Sequence, residues 1–221
     1  MTHFSDGVRA GRNFANNGTA SLPGVYMSPM NVYDIVPIAL VTNGICAQQT
    51  LAAAGNALLN GSLATNGIIT LDVPRNVIID AAGAATAILT VTGADTYGIP
   101  MSEAITLNGT TAVAGKKAFK TITSIAASAA ATDFFVGTGD VFGLPLRANS
   151  RNYVLTAWNG AFVTTGTFVA AVTTSPATTT TGDVRGTYAV PDASDAVKRL
   201  TLWVSIADDD TQTGLYGVVQ A

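Results

Sequence analysis

The side chains able to do acid–base, nucleophilic or metal chemistry are few and scattered in this chain. His3 is the only histidine and Cys46 the only cysteine. A Ser-His-Asp or Cys-His unit needs a histidine oriented beside its nucleophile. His3 lies near the beginning of the chain, inside a polar stretch, and reads as a solvated side chain. Cys46 sits in an apolar run with no basic neighbour to lower its pKa, which marks a buried structural thiol rather than a nucleophile. Asp208-Asp209-Asp210 is the one dense acidic cluster. It lacks the alternating ligand spacing and glycine of an EF-hand loop, so it reads as an acidic loop capping a strand, and it is the single Ca²⁺ candidate. Gly137-Thr138-Gly139-Asp140 looks like a phosphate loop, but no lysine or helix follows, and the expectation is a turn. No pair of carboxylates is signposted for glycoside hydrolysis. The residues point to no enzyme, no cofactor and no bound metal.

Composition explains that scarcity. Of 221 residues, 11 are Lys or Arg and 14 are Asp or Glu, a charged fraction of 11%. Soluble domains average about 25%. Ile35–Leu71 carries no charge at all. A surface made of Thr, Asn, Ser and Gly is suited to being covered by other protein, because charged side chains normally keep monomers apart. Net charge is −3, against a nucleic-acid partner. The neutral stretch is broken by Thr42-Asn43-Gly44, Gln48-Gln49 and Asn60-Gly61, so it fails as a membrane-spanning helix. Met1–Phe14 has no apolar run of the secretory kind, and Asn17, Asn60 and Asn108 read as chance sequons. A lone cysteine excludes an internal disulfide and fits a reducing compartment.

The elements that must carry these residues read as strands and turns. Asn-Gly begins at Asn17, Asn43, Asn60, Asn66, Asn108 and Asn159, and this dipeptide favours type I′ hairpin turns. Strands are expected over Val36–Thr42, Ile68–Val73, Asn76–Asp80, Thr86–Thr92, Glu103–Leu107, Phe119–Ile125 and Phe134–Val136. Further strands are expected over Tyr153–Trp158, Phe162–Thr173, Arg185–Val190, Arg199–Ile206 and Leu215–Val219. Leu200, Leu202, Val204 and Ile206 alternate with Arg199, Thr201, Trp203 and Ser205, the period of a sheet packed on one face. Ala87, Leu89 and Val91 alternate likewise. Ala47–Leu59, Ala-rich and unbranched, suggests a short helix weakened by Gly55 and Asn56. Thr173–Thr181 reads as an exposed loop. The expected architecture is all-β: residues 1–34 an extended N-terminal arm, residues 35–221 a β-sandwich or jelly-roll-like body.

Val91–Pro145 carries a resemblance. It joins a Gly-x-Asp-x-Tyr-Gly turn at Gly93–Gly98, a strand leading to Glu103, and the hairpin sequence Ile105-Thr106-Leu107-Asn108-Gly109-Thr110. Lys117-Ala118-Phe119 then enters the next strand, and Gly137-Thr138-Gly139-Asp140 through Gly143-Leu144-Pro145 closes the segment. This resembles β-rich structural proteins of tailed-bacteriophage virions, especially head decoration or cement proteins, over about a quarter of the chain. The resemblance implies binding to a major capsid protein, a homo-oligomer (trimer or dimer), location on the capsid surface after assembly in the bacterial cytoplasm, and no membrane partner. It carries no catalytic residues. The expected docking residues are Arg9, Arg12, Phe14, Tyr26, Met27 and Tyr33 of the arm, with Ile35, Ile38 and Leu40 beyond it. The alternative is a head-fibre, tail or collar protein with a receptor- or glycan-binding role. Exposed aromatics would mark it, with Trp158 and Tyr153 as candidates and Trp203 expected to be packed.

Overall fold

A computed structural model describes residues 30–163, 165–205 and 218–220. Among them there is no α-helix, and fifteen strands form two antiparallel sheets. In chain order these are Met30–Ile35 (β1), Cys46–Leu51 (β2), Gly55–Asn56 (β3), Ala64–Thr65 (β4), Ile68–Ala81 (β5), Ile88–Ala94 (β6), Pro100–Thr106 (β7) and Val113–Ala114 (β8). Phe119–Ala127 (β9), Ala131–Gly143 (β10), Val154–Trp158 (β11), Ala161–Phe162 (β12), Thr167–Val169 (β13), Thr187–Ala189 (β14) and Leu200–Ser205 (β15) follow. The all-β expectation holds, and no helix among the described residues is long and apolar enough to cross a membrane.

The larger sheet runs β13-β14-β10-β5-β9-β6-β7, with β2 beside β10, β3 beside β9, and β4 and β8 beside β5. The smaller sheet runs β1-β15-β11-β12. Alternation decides which side chains go inward. Leu89 and Val91 of β6 are buried, as are Met101 and Ile105 of β7 and Ile122 and Ile125 of β9. With Ile69, Ile79, Phe134 and Val136 they form the main core. A second core lies where the smaller sheet meets the end of β10. There Leu200, Leu202 and Val204 pack with Val154, Trp158, Phe142 and Tyr188. Burying an aliphatic or aromatic side chain of this size contributes about 1.5–3 kcal/mol, so two cores suffice without a disulfide.

Several local expectations change. β5 is one strand of 14 residues, not two. Pro74 lies inside it, without an N–H to donate, and the pairing register towards β9 shifts between Thr70 and Arg75, while that towards β10 shifts just after, between Arg75 and Val77. A proline in a central strand is tolerated at such an irregularity. Ala47–Leu59 is not a helix. Side-chain amides hold it extended: Gln49 accepts from the Leu58 amide at 2.9 Å and donates to the Leu58 carbonyl at 3.0 Å, while Asn60 accepts from Ala47 N at 3.0 Å. Residues 36–42 make no strand ladder; Ile38 N donates to Asp72 and Val41 N to the Thr138 hydroxyl. Gly137–Asp140 is strand, inside β10, rather than a turn. Met30–Ile35, the end of the expected arm together with Ile35, is a strand paired with β15 from Met30↔Ser205 to Ile35↔Leu200. Of the Asn-Gly pairs, Asn66-Gly67 and Asn159-Gly160 have both φ values positive and close the β4–β5 and β11–β12 hairpins.

Candidate functional site

Part of the scarce charge lies inside. Arg75, Asp95, Glu103, Lys117, Arg147, Asp183 and Arg185 are all buried. Desolvating an ion costs several kcal/mol unless partners replace the lost water, and here most of these groups sit in two hydrogen-bonded networks.

The first network lies between the β6–β7 turn, the start of β9 and the segment before β14. Asp95 Oδ1 accepts from the amides of Tyr97 and Ile99, shaping the turn, while its Oδ2 accepts from Arg185 at 2.6 Å and from Gln220 at 2.8 Å. Asp183 accepts from Ala118 N at 3.1 Å and Arg185 N at 2.9 Å. Glu103 accepts from the Lys116 and Lys117 amides, and Lys117 Nζ donates to the Thr178 carbonyl at 2.9 Å. Burial pushes the Glu103 and Asp183 carboxyls above their ordinary range, although neighbouring amides and cations oppose the shift. Burial pushes the Lys117 ammonium below its usual value. The Thr-rich loop is therefore anchored from beneath rather than free along its length.

The second network centres on Arg75. Its guanidinium donates to the Gly139 carbonyl at 2.7 Å, the Ile38 carbonyl at 3.0 Å, Asp140 at 2.8 Å and the Ser194 hydroxyl at 3.1 Å. Ser194 in turn donates to Asp140 at 2.6 Å. Gly139 is what admits the neighbouring amide, because a Cβ there would lie 2.1 Å from Asn76 Oδ1. Serine, carboxylate and arginine meet here, but every polar atom is engaged in joining four segments of backbone. The arrangement is a staple.

Part of the outside is neutral. Most of the charge-free stretch lies on the surface, with Val36, Leu40, Leu58 and Ile68 exposed. Two hollows of about 260 and 200 Å³ share Thr42 and Phe135; Asn43 and Gln48 complete the first, and Leu40, Ile78, Asp80, Ala112 and Thr138 the second. They are open depressions and bring together no nucleophile and base. Cys46 is buried and its thiol is pushed up to about 12 by desolvation. Among the described residues no three His, Cys, Asp or Glu side chains are grouped to hold a metal.

Of the residues singled out in the sequence, His3, Arg9, Arg12, Phe14, Tyr26, Met27, Asp208, Asp209 and Asp210 lie outside the described residues. Tyr33 and Ile35 are half-buried and pack against the second core. Ile38 ties its backbone to Asp72 and Arg75, and Leu40 alone of the group is an exposed apolar side chain. Trp158 departs from its expected exposed place. Trp158 is buried and donates to Asp192, whereas Trp203 is half-buried on the outer face of the smaller sheet with Phe162 against it at 5.4 Å. The buried charges escaped the sequence reading, since nothing in their spacing distinguishes a solvated ion from a stapled one.

No protein-family model, curated protein or solved structure matches the chain.

Proposed function

We propose that this chain is a decoration (cement) protein of a tailed-bacteriophage capsid, binding the major capsid protein lattice through the neutral surface of residues 36–71 and the N-terminal segment. The observation that carries the reading is where charge lies. Seven charged side chains are buried in a chain with few, while exposed Val36, Leu40, Leu58 and Ile68 fall within its charge-free stretch. Interface cores are depleted in charge, and rich in apolar side chains, in the same way. A lattice multiplies weak contacts into avidity, so such a surface needs no single strong site. The resemblance of Val91–Pro145 to phage virion proteins supports the same reading. Purified chain mixed with undecorated capsids should appear as added density on the particle surface. Empty capsids at saturating concentration would refute the proposal.

A further inference from the structure

Five Asn-Gly pairs fall within the described residues, and the fold treats them differently. At three of them the glycine N–H is engaged. Gly44 is buried and donates to the Val41 carbonyl at 3.2 Å, Gly61 donates to the Ile45 carbonyl at 3.1 Å, and Gly109 donates to the Ala85 carbonyl at 2.9 Å. The Asn60 side-chain oxygen is also held, by Ala47 N. Asn66-Gly67 and Asn159-Gly160 instead stand at the tips of the β4–β5 and β11–β12 hairpins, with all four residues exposed. Neither Gly67 N nor Gly160 N has a hydrogen-bond partner among the described residues, and neither asparagine side chain is bonded there.

We infer that Asn66 and Asn159 are sites of spontaneous deamidation, and that Asn43, Asn60 and Asn108 are protected from it. The reaction requires the next amide nitrogen to reach the asparagine Cγ, and a following glycine offers the least steric obstacle. Backbone conformation at the two tips favours that approach. Asn66 and Asn159 already have φ of 53° and 50°. Type I′ and type II′ turns both need φ > 0 at this position, and both close two-residue hairpins. They differ mainly by a rotation of the central peptide, which takes the first ψ to about −120° in type II′. That rotation carries the glycine nitrogen towards Cγ while the flanking pairs Thr65↔Ile68 and Trp158↔Ala161 keep their register. At Gly44, Gly61 and Gly109 the same rotation has to break a hydrogen bond.

The only co-reactant is water. The glycine nitrogen gives its proton to solvent base and attacks Cγ; the new C–N bond closes a succinimide ring, and the side-chain nitrogen leaves as ammonia. Water then opens the ring. Cleavage at the side-chain carbonyl restores the backbone and leaves aspartate, whereas cleavage at the main-chain carbonyl leaves isoaspartate and a backbone longer by a methylene. Either product adds a negative charge to a chain of net charge −3, and at Asn66 it puts the first charge into Ile35–Leu71. In a two-residue turn the extra methylene also disturbs the register that the turn sets. None of these steps needs a capsid, so the inference stands apart from the decoration reading.

The test keeps the full chain folded in mildly alkaline buffer for weeks and follows each pair by peptide mass spectrometry. A parallel sample in guanidinium chloride gives the reactivity of each pair without the fold. All five pairs should convert at similar rates in denaturant. In the folded chain Asn66 and Asn159 should convert faster than Asn43, Asn60 and Asn108 by about tenfold or more, because the other glycines must first leave a hydrogen bond. Isoaspartate should accompany aspartate at both hairpin tips, as electron-transfer fragmentation distinguishes, and circular dichroism checks that the chain stays folded. Conversion of Asn43, Asn60 or Asn108 as fast as the hairpin pair, an intact Asn66 or Asn159, or aspartate without isoaspartate would each overturn the inference.

Discussion

Arg185 and Asp95 are 90 positions apart and meet at 2.6 Å, each side chain 1% exposed. Their contact ties the segment before β14 to the turn that leads into β7. Removing one member of such a pair strands a charge without water, which costs about 3–5 kcal/mol. Arg185→Met should therefore lower the midpoint of thermal unfolding by roughly 6–20 °C, at about 2–4 °C per kcal/mol for a chain of this size. Combining it with Asp95→Asn should recover part of the loss, because the asparagine side chain keeps an acceptor for the Tyr97 and Ile99 amides. Calorimetry of the two variants measures both effects, and a double variant no better than the single would show that the ion pair is not what Arg185 contributes.

Glu103 gives a pH signature. Burial raises its folded pKa above the unfolded value, so the folded state favours the protonated form. The stability this supplies is complete below the unfolded carboxyl pKa and is lost as pH rises through the folded one. Asp183 shares that sign, whereas exposed Asp192 and Asp195, their pKa values lowered chiefly by Lys198, contribute stability lost as pH falls. Wild-type curves thus mix two trends, and a variant separates them. Relative to Glu103→Gln, wild type should lose stability steadily from about pH 4 upward in urea titrations. A difference that stays flat with pH would contradict the shift.

Cys46 should be inert in the folded chain. With its pKa pushed up to about 12 almost no thiolate exists at neutral pH, and the side chain is buried. Iodoacetamide should label it only after denaturation, as mass spectrometry would register.

Gly93 marks a close approach of two strands. A Cβ there would lie 1.9 Å from the Thr121 carbonyl oxygen, where the β6–β9 register shifts. Because backbone rather than a flexible side chain is in the way, Gly93→Ala should cost about 1–3 kcal/mol or more. Gly83, where an added Cβ would meet nothing within 4 Å, supplies the control: Gly83→Ala should unfold at the wild-type denaturant midpoint.

The decoration reading makes a directional prediction. Leu40→Asp, on the neutral side, should weaken capsid binding at least tenfold, on the scale of roughly one buried aliphatic contact. Val197→Asp, at an exposed position among Asp195 and Lys198, should leave it unchanged. Co-sedimentation with capsids compares the two; equal losses would argue against the neutral face as the docking side.

How far the sequence spoke depends on how local the cause was. Period-2 alternation announced β15 and β6 with the correct inward faces, because side-chain direction in a strand follows from the backbone alone. Asn66-Gly67 and Asn159-Gly160 announced their turns for the same reason. Where long-range partners decide, the sequence was silent or misleading. Ala47–Leu59 has helix-forming composition, but Gln49 and Asn60 satisfy its backbone in extended form. Pro74 has the character of a strand boundary and proves to lie at an irregularity inside β5, where the register towards β9 shifts. The sites were less legible still: Asp95 gave no sign of Arg185, and Trp158, expected at the surface, is buried while Trp203 lies half-buried under Phe162.

Housing so many ions indoors sets the thermodynamic character of whatever this surface touches. With few exposed charges to screen, association through it should vary little between dilute and physiological sodium chloride, where the Debye length shortens. The driving force would instead be dehydration, recognisable as a negative heat-capacity change on binding and as tightening in sulfate or phosphate solutions, which favour burial of apolar area. Cooling should loosen the contact, making the cold a milder means of dissociation than salt.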